Sequence, residues 1–173
     1  MKRSHLALIS ASAVGVVVAL LVVVLATRDP ATEKVRDSPI VGKPAPALRA
    51  ETIDGSTFDL ETFGSEFVLV NFFATWCVPC RQEHADLVEL DEGGAANVVS
   101  VVYQDSPETV QAFLAEQGGD WPVLEDPSGQ ITLDYGVSKI PESYLIAPGG
   151  TVVAKFVRGV HADTVTDVID RFR

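Results

Sequence analysis

Histidine, cysteine and methionine are scarce in this chain: three, two and one among 173 residues. Two cysteines make one local bridge at most. That excludes the multi-disulfide frameworks that hold small secreted domains together. A structural zinc ion takes about four ligands, and His5 sits in the leader, so no metal site is expected. Basic residues are scarce too. The whole-chain charge is −11, and setting aside Lys2 and Arg3 leaves −13 on residues 28–173. Such a surface does not attract nucleic acid, and it gives no polybasic tether for anionic lipid. The acidity is read as a solubility feature. No internal repeat is present.

Where charge is wholly missing, something else is present. Leu6 to Ala26 gives 21 uncharged residues rich in Val, Leu and Ala. At about 1.5 Å rise per residue, a helix of that length matches a bilayer core of about 30 Å. Two readings compete. A cleaved signal has a shorter apolar core and a small-residue cleavage site, and Val24-Leu25-Ala26 offers a weak one. The longer core favours an uncleaved anchor. The expected organisation is therefore an N-terminal transmembrane anchor or uncleaved signal over 1–27, a tether over 28–40 and one domain over 41–173. Lys2 and Arg3 precede the segment, but Arg28, Lys34 and Arg36 follow it. Charge alone therefore does not orient it.

Within the domain, Asp54-Gly55 between short β-prone runs is a hairpin signal. Asp59 to Phe63 reads as one helical turn. Glu66 to Ala74 is apolar on both alternating faces, as in a strand covered on both sides. A helix is expected over 77–92, closed by Gly93-Gly94, and a second apolar strand over 97–103. Ser106-Pro107 starts another helix, with Val110, Phe113 and Leu114 on one face and Gly118-Gly119 at its end. After the turn Asp126-Pro127-Ser128-Gly129 come a short helix over 130–135, strands over 143–147 and 151–157, and a last helix from Asp163. There Val165, Val168, Ile169 and Phe172 recur at helical spacing. The order predicts an α/β domain: a central mixed sheet with helices on both faces and an N-terminal hairpin extension.

Both cysteines fall in Trp76-Cys77-Val78-Pro79-Cys80, where the first apolar strand meets the first helix. A Cys-x-x-Cys at such a junction reads as a redox site. Residues three apart on a helix lie about 5–6 Å apart at Cβ, and a disulfide needs Cα atoms about 4.4–6.8 Å apart. The pair can therefore alternate between dithiol and disulfide with little backbone movement. Cys77 falls at the helix N-terminus, where unpaired amides and the dipole stabilise a thiolate. Pro79 falls in the first turn, where a missing N–H costs nothing. Cys80, one turn in, is expected to be more buried and to act second.

Phe72-Phe73-Ala74-Thr75-Trp76-Cys77-Val78-Pro79-Cys80 resembles the active-site segment of the thioredoxin superfamily. Three further stretches resemble its membrane-anchored TlpA/ResA/DsbE-like branch, which includes the reductases of cytochrome c biogenesis. They are Val41-Gly42-Lys43-Pro44-Ala45-Pro46 with the hairpin at Asp54-Gly55, Arg81-Gln82-Glu83-His84, and Ile140-Pro141-Glu142-Ser143-Tyr144-Leu145-Ile146. Together they span about residues 40–173. The sequence departs from the branch at Lys139, which stands where the Gly-Val-x-Gly-x-Pro-Glu-Thr-Phe pattern has its second glycine.

The resemblance implies a thioredoxin-like fold and assigns roles. Cys77 attacks and Cys80 resolves. Asn71 occupies the place of the buried acid of cytoplasmic thioredoxins and cannot accept a proton, so Glu83 takes that role. A carboxyl held on the partly apolar stripe with Leu87 and Leu90 is expected to have a raised pKa. His84 shares a helical row with Cys80 and is read as a packing or rim residue. Pro141 resembles the cis-proline that faces the cysteines. With no N–H at 141, the backbone of Ile140 is left to pair with an extended substrate. Trp76 is read as a docking rim, with core packing the alternative. Glu142 either tunes the site or is exposed.

The implied activity is that of an extracytoplasmic, membrane-tethered thiol–disulfide oxidoreductase without a cofactor beyond its cysteine pair. The reading makes it a reductase of client protein disulfides such as apocytochrome c, supplied with electrons by a membrane thiol–disulfide donor. Bilayer contact would run through residues 6–26, and secretion after cleavage near Ala26 is the alternative location. A general exchange protein is the neighbouring function. A copper-delivery protein would need Cys-x-x-x-Cys and a distant His, for which only His161 is available. A peroxidase would use a single cysteine in another loop.

Overall fold

The computed structural model describes residues 16–20, 34–35 and 38–173. They divide into two units, Met1–Thr32 and Glu33–Arg173. In the first, residues 16–20 are helical and exposed. The rest of the 6–26 segment, with the cleavage position near Ala26, lies outside the described residues. Among the described residues no helix is long and apolar enough to cross a membrane.

The second unit is built on a six-stranded sheet. Its strands are β1 (Lys34–Val35), β4 (Val68–Phe73), β5 (Asn97–Val102), β6 (Val123–Leu124), β7 (Glu142–Ile146) and β8 (Val152–Val157), in the order β1-β8-β7-β4-β5-β6. β4, β5 and β6 run parallel, while β7 is antiparallel to β4, and β8 to β7. The expected hairpin forms from β2 (Arg49–Glu51) and β3 (Thr57–Asp59). It is followed by a 3₁₀ turn, Leu60–Phe63, capped by the Asp59 carboxylate. The helices are α1 (Val78–Glu92), α2 (Pro107–Gln117), α3 (Gln130–Asp134) and α4 (Ala162–Asp170).

All six residues of β4 are buried, as its unbroken apolar run requires. Alternation sends them to two cores. Leu69 and Phe73 pack with Leu87 and Leu90 of α1, Val110 and Phe113 of α2, and Val165, Val168 and Ile169 of α4. Val68, Val70 and Phe72 pack with Tyr135, Tyr144 and the hairpin's Phe58. Burial, reinforced by the neighbouring Glu142 carboxylate, pushes the Tyr144 phenol up. It stays protonated and donates to the Tyr135 carbonyl at 2.7 Å.

Two strands carry no sequence signal. β1 lies in the stretch read as a tether and pairs with β8 through Lys34↔Val157 and Val35↔Phe156. β6 extends the other edge, pairing Ser100↔Val123 and Val101↔Leu124. One expected core residue is not in the core. Phe172 lies past the end of α4 and is 55% exposed.

His84 does not face the cysteines. Its Nε2–H donates to the Gly118 carbonyl at 2.9 Å, and its ring packs on Phe113 and Trp121 at 4.7 and 5.4 Å between centroids. Burial pushes its pKa below the usual histidine value, only partly offset by that hydrogen bond. The unfolded chain therefore binds a proton before the folded one does. The contribution of neutral His84 is complete above about pH 6.5 and is lost as pH falls toward the lowered folded value. Unfolding free energy measured by urea titration should drop on acidification by at most about 1.4 kcal/mol per pH unit from this group. His84→Gln should flatten that component, and an unchanged slope would contradict the assignment.

Candidate functional site

β4 ends at Phe73, and Ala74-Thr75-Trp76 turns the chain into α1. The turn is held from the loop after β5. The Thr75 amide and hydroxyl both donate to one Asp105 oxygen, at 2.7 and 2.6 Å. The Trp76 indole N–H donates to the Gln104 carbonyl at 3.2 Å. Trp76 is 58% exposed, which excludes the core-packing alternative.

Cys77 is the N-cap of α1, with Val78 and Pro79 in the first turn. Its Sγ accepts the Cys80 amide at 3.2 Å. That is the place of an N-cap oxygen, and negative charge on this sulphur would meet the helix dipole and an oriented amide. Cys77 and Cys80 form a disulfide with Cα atoms 5.2 Å apart. The residues are 5% and 3% exposed, so burial does not separate them as expected. Their order rests on position, with Cys77 first on the helix.

Glu83, one turn after Cys80, is 4% exposed. Its Oε1 accepts Asn71 Nδ2–H at 2.8 Å and its Oε2 accepts the Val160 amide at 2.9 Å. Asn71 also donates to Ser143 Oγ at 3.0 Å. Asn71 therefore serves the carboxylate at 83 as a donor. An Asp at 71 would set two carboxylates against each other. Gly159 has φ +119°, and a Cβ there would stand 3.5 Å from Glu83 Oε2. A Cβ at that distance would fit, so it is the positive φ of the loop after β8 that favours glycine there.

The Ile140–Pro141 bond is cis. Ile140 packs against the core that holds both cysteines, so this loop and the disulfide share the end of the sheet where β4 finishes. The Pro141 carbonyl accepts the Arg158 amide at 3.1 Å. Among the described residues the backbone of Ile140 has no hydrogen bond.

Glu142 is not exposed. It is 4% exposed and faces the other side of the sheet, in register with Phe72 and Val157. Lys155 Nζ lies 2.8 Å from its Oε2 and 5.0 Å over the Tyr144 ring. The Ser138 amide and hydroxyl donate to the same carboxylate at 3.3 and 3.1 Å. Glu142 thus anchors the segment leading into the cis-proline instead of standing at its surface. Sequence reasoning missed Lys155, Ser138 and Asp105. Lys155 had a signal: one cation inside the apolar strand Val152 to Val157, where an unpaired lysine is rarely buried. His161 stands at the N-cap position of α4 and lies 3.5 Å from Asp86, whose carboxylate accepts the Ala162 amide at 3.0 Å.

Residues 40–169 match the Redoxin family. The thiol:disulfide interchange protein HelX of Rhodobacter capsulatus is 34% identical over 134 residues, covering 76% of this chain and 76% of that protein. The thiol:disulfide interchange protein CycY of Rhizobium leguminosarum bv. viciae is 43% identical over 93 residues, covering 53% of this chain and 50% of that protein. A crystal structure of a thiol:disulfide interchange protein of the thioredoxin family from Chlorobium tepidum TLS aligns with TM-score 0.68 and 25% identity, covering 79% of this chain and 98% of that one. The sheet order and helix placement are those of a thioredoxin-like fold.

Proposed function

The chain belongs to the redoxin family and is a thiol–disulfide oxidoreductase, and from that premise we propose that it works outside the cytoplasm as a reductase of disulfides in client proteins. The observation that carries the exchange chemistry is the cap geometry of Cys77, with its sulphur on the Cys80 amide and the buried Glu83 one turn further on; the reducing direction rests on the branch the sequence resembles. In the dithiol state the Cys77 thiolate attacks one sulphur of the client disulfide. A mixed disulfide forms and the other client sulphur leaves as a thiolate. Cys80 gives its proton to Glu83 and attacks Cys77 Sγ, which releases the second client thiol. Two electrons pass to the client, and the protein is left as the Cys77–Cys80 disulfide.

Trp76 and the backbone of Ile140 receive the client, Pro141 keeps that backbone edge open, and Glu142 holds the loop. The cysteine pair is the electron carrier, with no cofactor. The client is apocytochrome c, whose Cys-x-x-Cys-His must be reduced before haem attachment. A membrane thiol–disulfide protein restores the dithiol. The apolar segment 6–26 keeps the domain at the bilayer on the outer side. The reduction potential tests the direction. A value of about −200 to −270 mV supports a reductase, and one near −120 mV, at the oxidant end of the scale, would sink it.

A further inference from the structure

Three exposed cations stand next to the residues of the reactive site in an otherwise acidic domain. Residues 28–173 have an excess of 13 negative charges. Yet Lys139 and Arg158 stand on the cis-proline side of the site, and Arg81 follows Cys80 directly. All three are exposed. None makes an ion pair among the described residues, while Lys155, Arg49 and Arg173 each do. Arg158 is fixed to the loop by its backbone, which donates to the Pro141 carbonyl while φ is +73°. Lys139 lies between Ser138, whose amide and hydroxyl are held by Glu142, and Ile140. Arg81 leans over the Phe113 ring at 5.3 Å on the α2 side.

The acids that build this end of the sheet do not neutralise these cations. Glu142 is buried against Lys155 and Ser138. The Asp105 carboxylate accepts from Thr75 and Ser106. Glu83 is buried beneath Val160. What remains outward is the three positive charges of Lys139, Arg158 and Arg81, an open backbone edge at Ile140, and the apolar surfaces of Trp76 and Val78, 58% and 64% exposed.

We propose that Lys139 and Arg158, supported by Arg81, select clients whose extended segment beside the disulfide is acidic. This deepens the reductase reading and rests on it. An extended strand laid along Ile140 would bring its neighbouring side chains past both cations. Complementary charge there raises the encounter rate, and like charge suppresses it.

The test uses the full chain, reduced with dithiothreitol and freed of it, and three disulfide peptides identical except for residues flanking the cysteines: Glu, Gln or Lys. At about 20 mM salt the Glu peptide should be reduced about tenfold faster than the Lys peptide. At about 0.5 M salt, where the screening length is only a few ångströms, the ratio should fall to within about twofold. In Lys139→Glu/Arg158→Glu the ratio should invert, a readout that does not depend on the variant's absolute rate. Equal rates for the Glu and Lys peptides at low salt, or a preference for Lys, would overturn the charge selection while leaving the exchange chemistry standing. Failure to reduce any of the three, the Gln peptide included, would remove the reductase reading and this proposal together.

Discussion

Cys80→Ser is expected to convert the protein into a trap for its client. The attack on the client needs only Cys77, and the contact that prepares Cys77 comes from the backbone. The amide of residue 80 donates to Cys77 Sγ at 3.2 Å, and serine keeps that amide. Resolution of the mixed disulfide needs a thiol held against Cys77 Sγ, which only the side chain of residue 80 provides. Effective molarities of well-placed intramolecular groups reach about 10⁵–10⁸ M, far above any free thiol. Client release should therefore slow at least about 1000-fold while mixed-disulfide formation survives.

Non-reducing gels and mass spectrometry should show one client per chain, linked through Cys77 and released by reductant. Cys77→Ser should give neither turnover nor adduct. An adduct in Cys77→Ser with none in Cys80→Ser would reverse the roles of the two cysteines. Recovery of clients that include no apocytochrome c or haem-assembly factor would remove the cytochrome assignment and leave the exchange chemistry intact.

The site was legible in the sequence as far as its chemistry is local. The Cys-x-x-Cys spacing, the proline in the first turn and the fully apolar β4 each state their geometry within a few residues. The site was less legible where partners are far apart in the chain. Asn71 reads as the absence of an acid, but the structure makes it a donor to Glu83, 12 positions away. The two positions form one arrangement that spacing alone does not reveal. Glu142 and Lys155 come together because β7 and β8 pair antiparallel, and a glutamate after a proline in isolation looks solvated. The strands β1 and β6 have two residues each, too short for any period, and they exist because β8 and β5 present edges. Phe172 fits the helical spacing of α4, but the helix ends at Asp170, so the periodicity ran past the element.

Lys155→Met should cost the domain about 3–5 kcal/mol, the usual penalty for leaving one partner of a buried ion pair alone. The side chains of Lys155 and Glu142 are 10% and 5% exposed at 2.8 Å, so water cannot take the place of the missing ammonium. Methionine matches the aliphatic stem and can still lie against Tyr144. The loss therefore reports the charge and not a cavity. Domains of this kind are stable by about 5–15 kcal/mol, so the variant should show a large fall in urea midpoint with little change in slope.

Glu142→Gln/Lys155→Met should recover most of the loss. The neutral amide oxygen can still accept from the Ser138 amide and hydroxyl, which now approach Glu142 at 3.3 and 3.1 Å. Glu142→Gln alone should fall between the two, because it leaves the lysine buried without its anion. The coupling energy from the four-member cycle is the decisive quantity. A value under about 1 kcal/mol would mean a solvated pair, and would remove the role assigned to Glu142 as the anchor of the cis-proline loop. A large coupling joined to a severalfold rise in client KM would tie that anchor to substrate binding, because the carboxylate holds Ser138, two residues from Ile140.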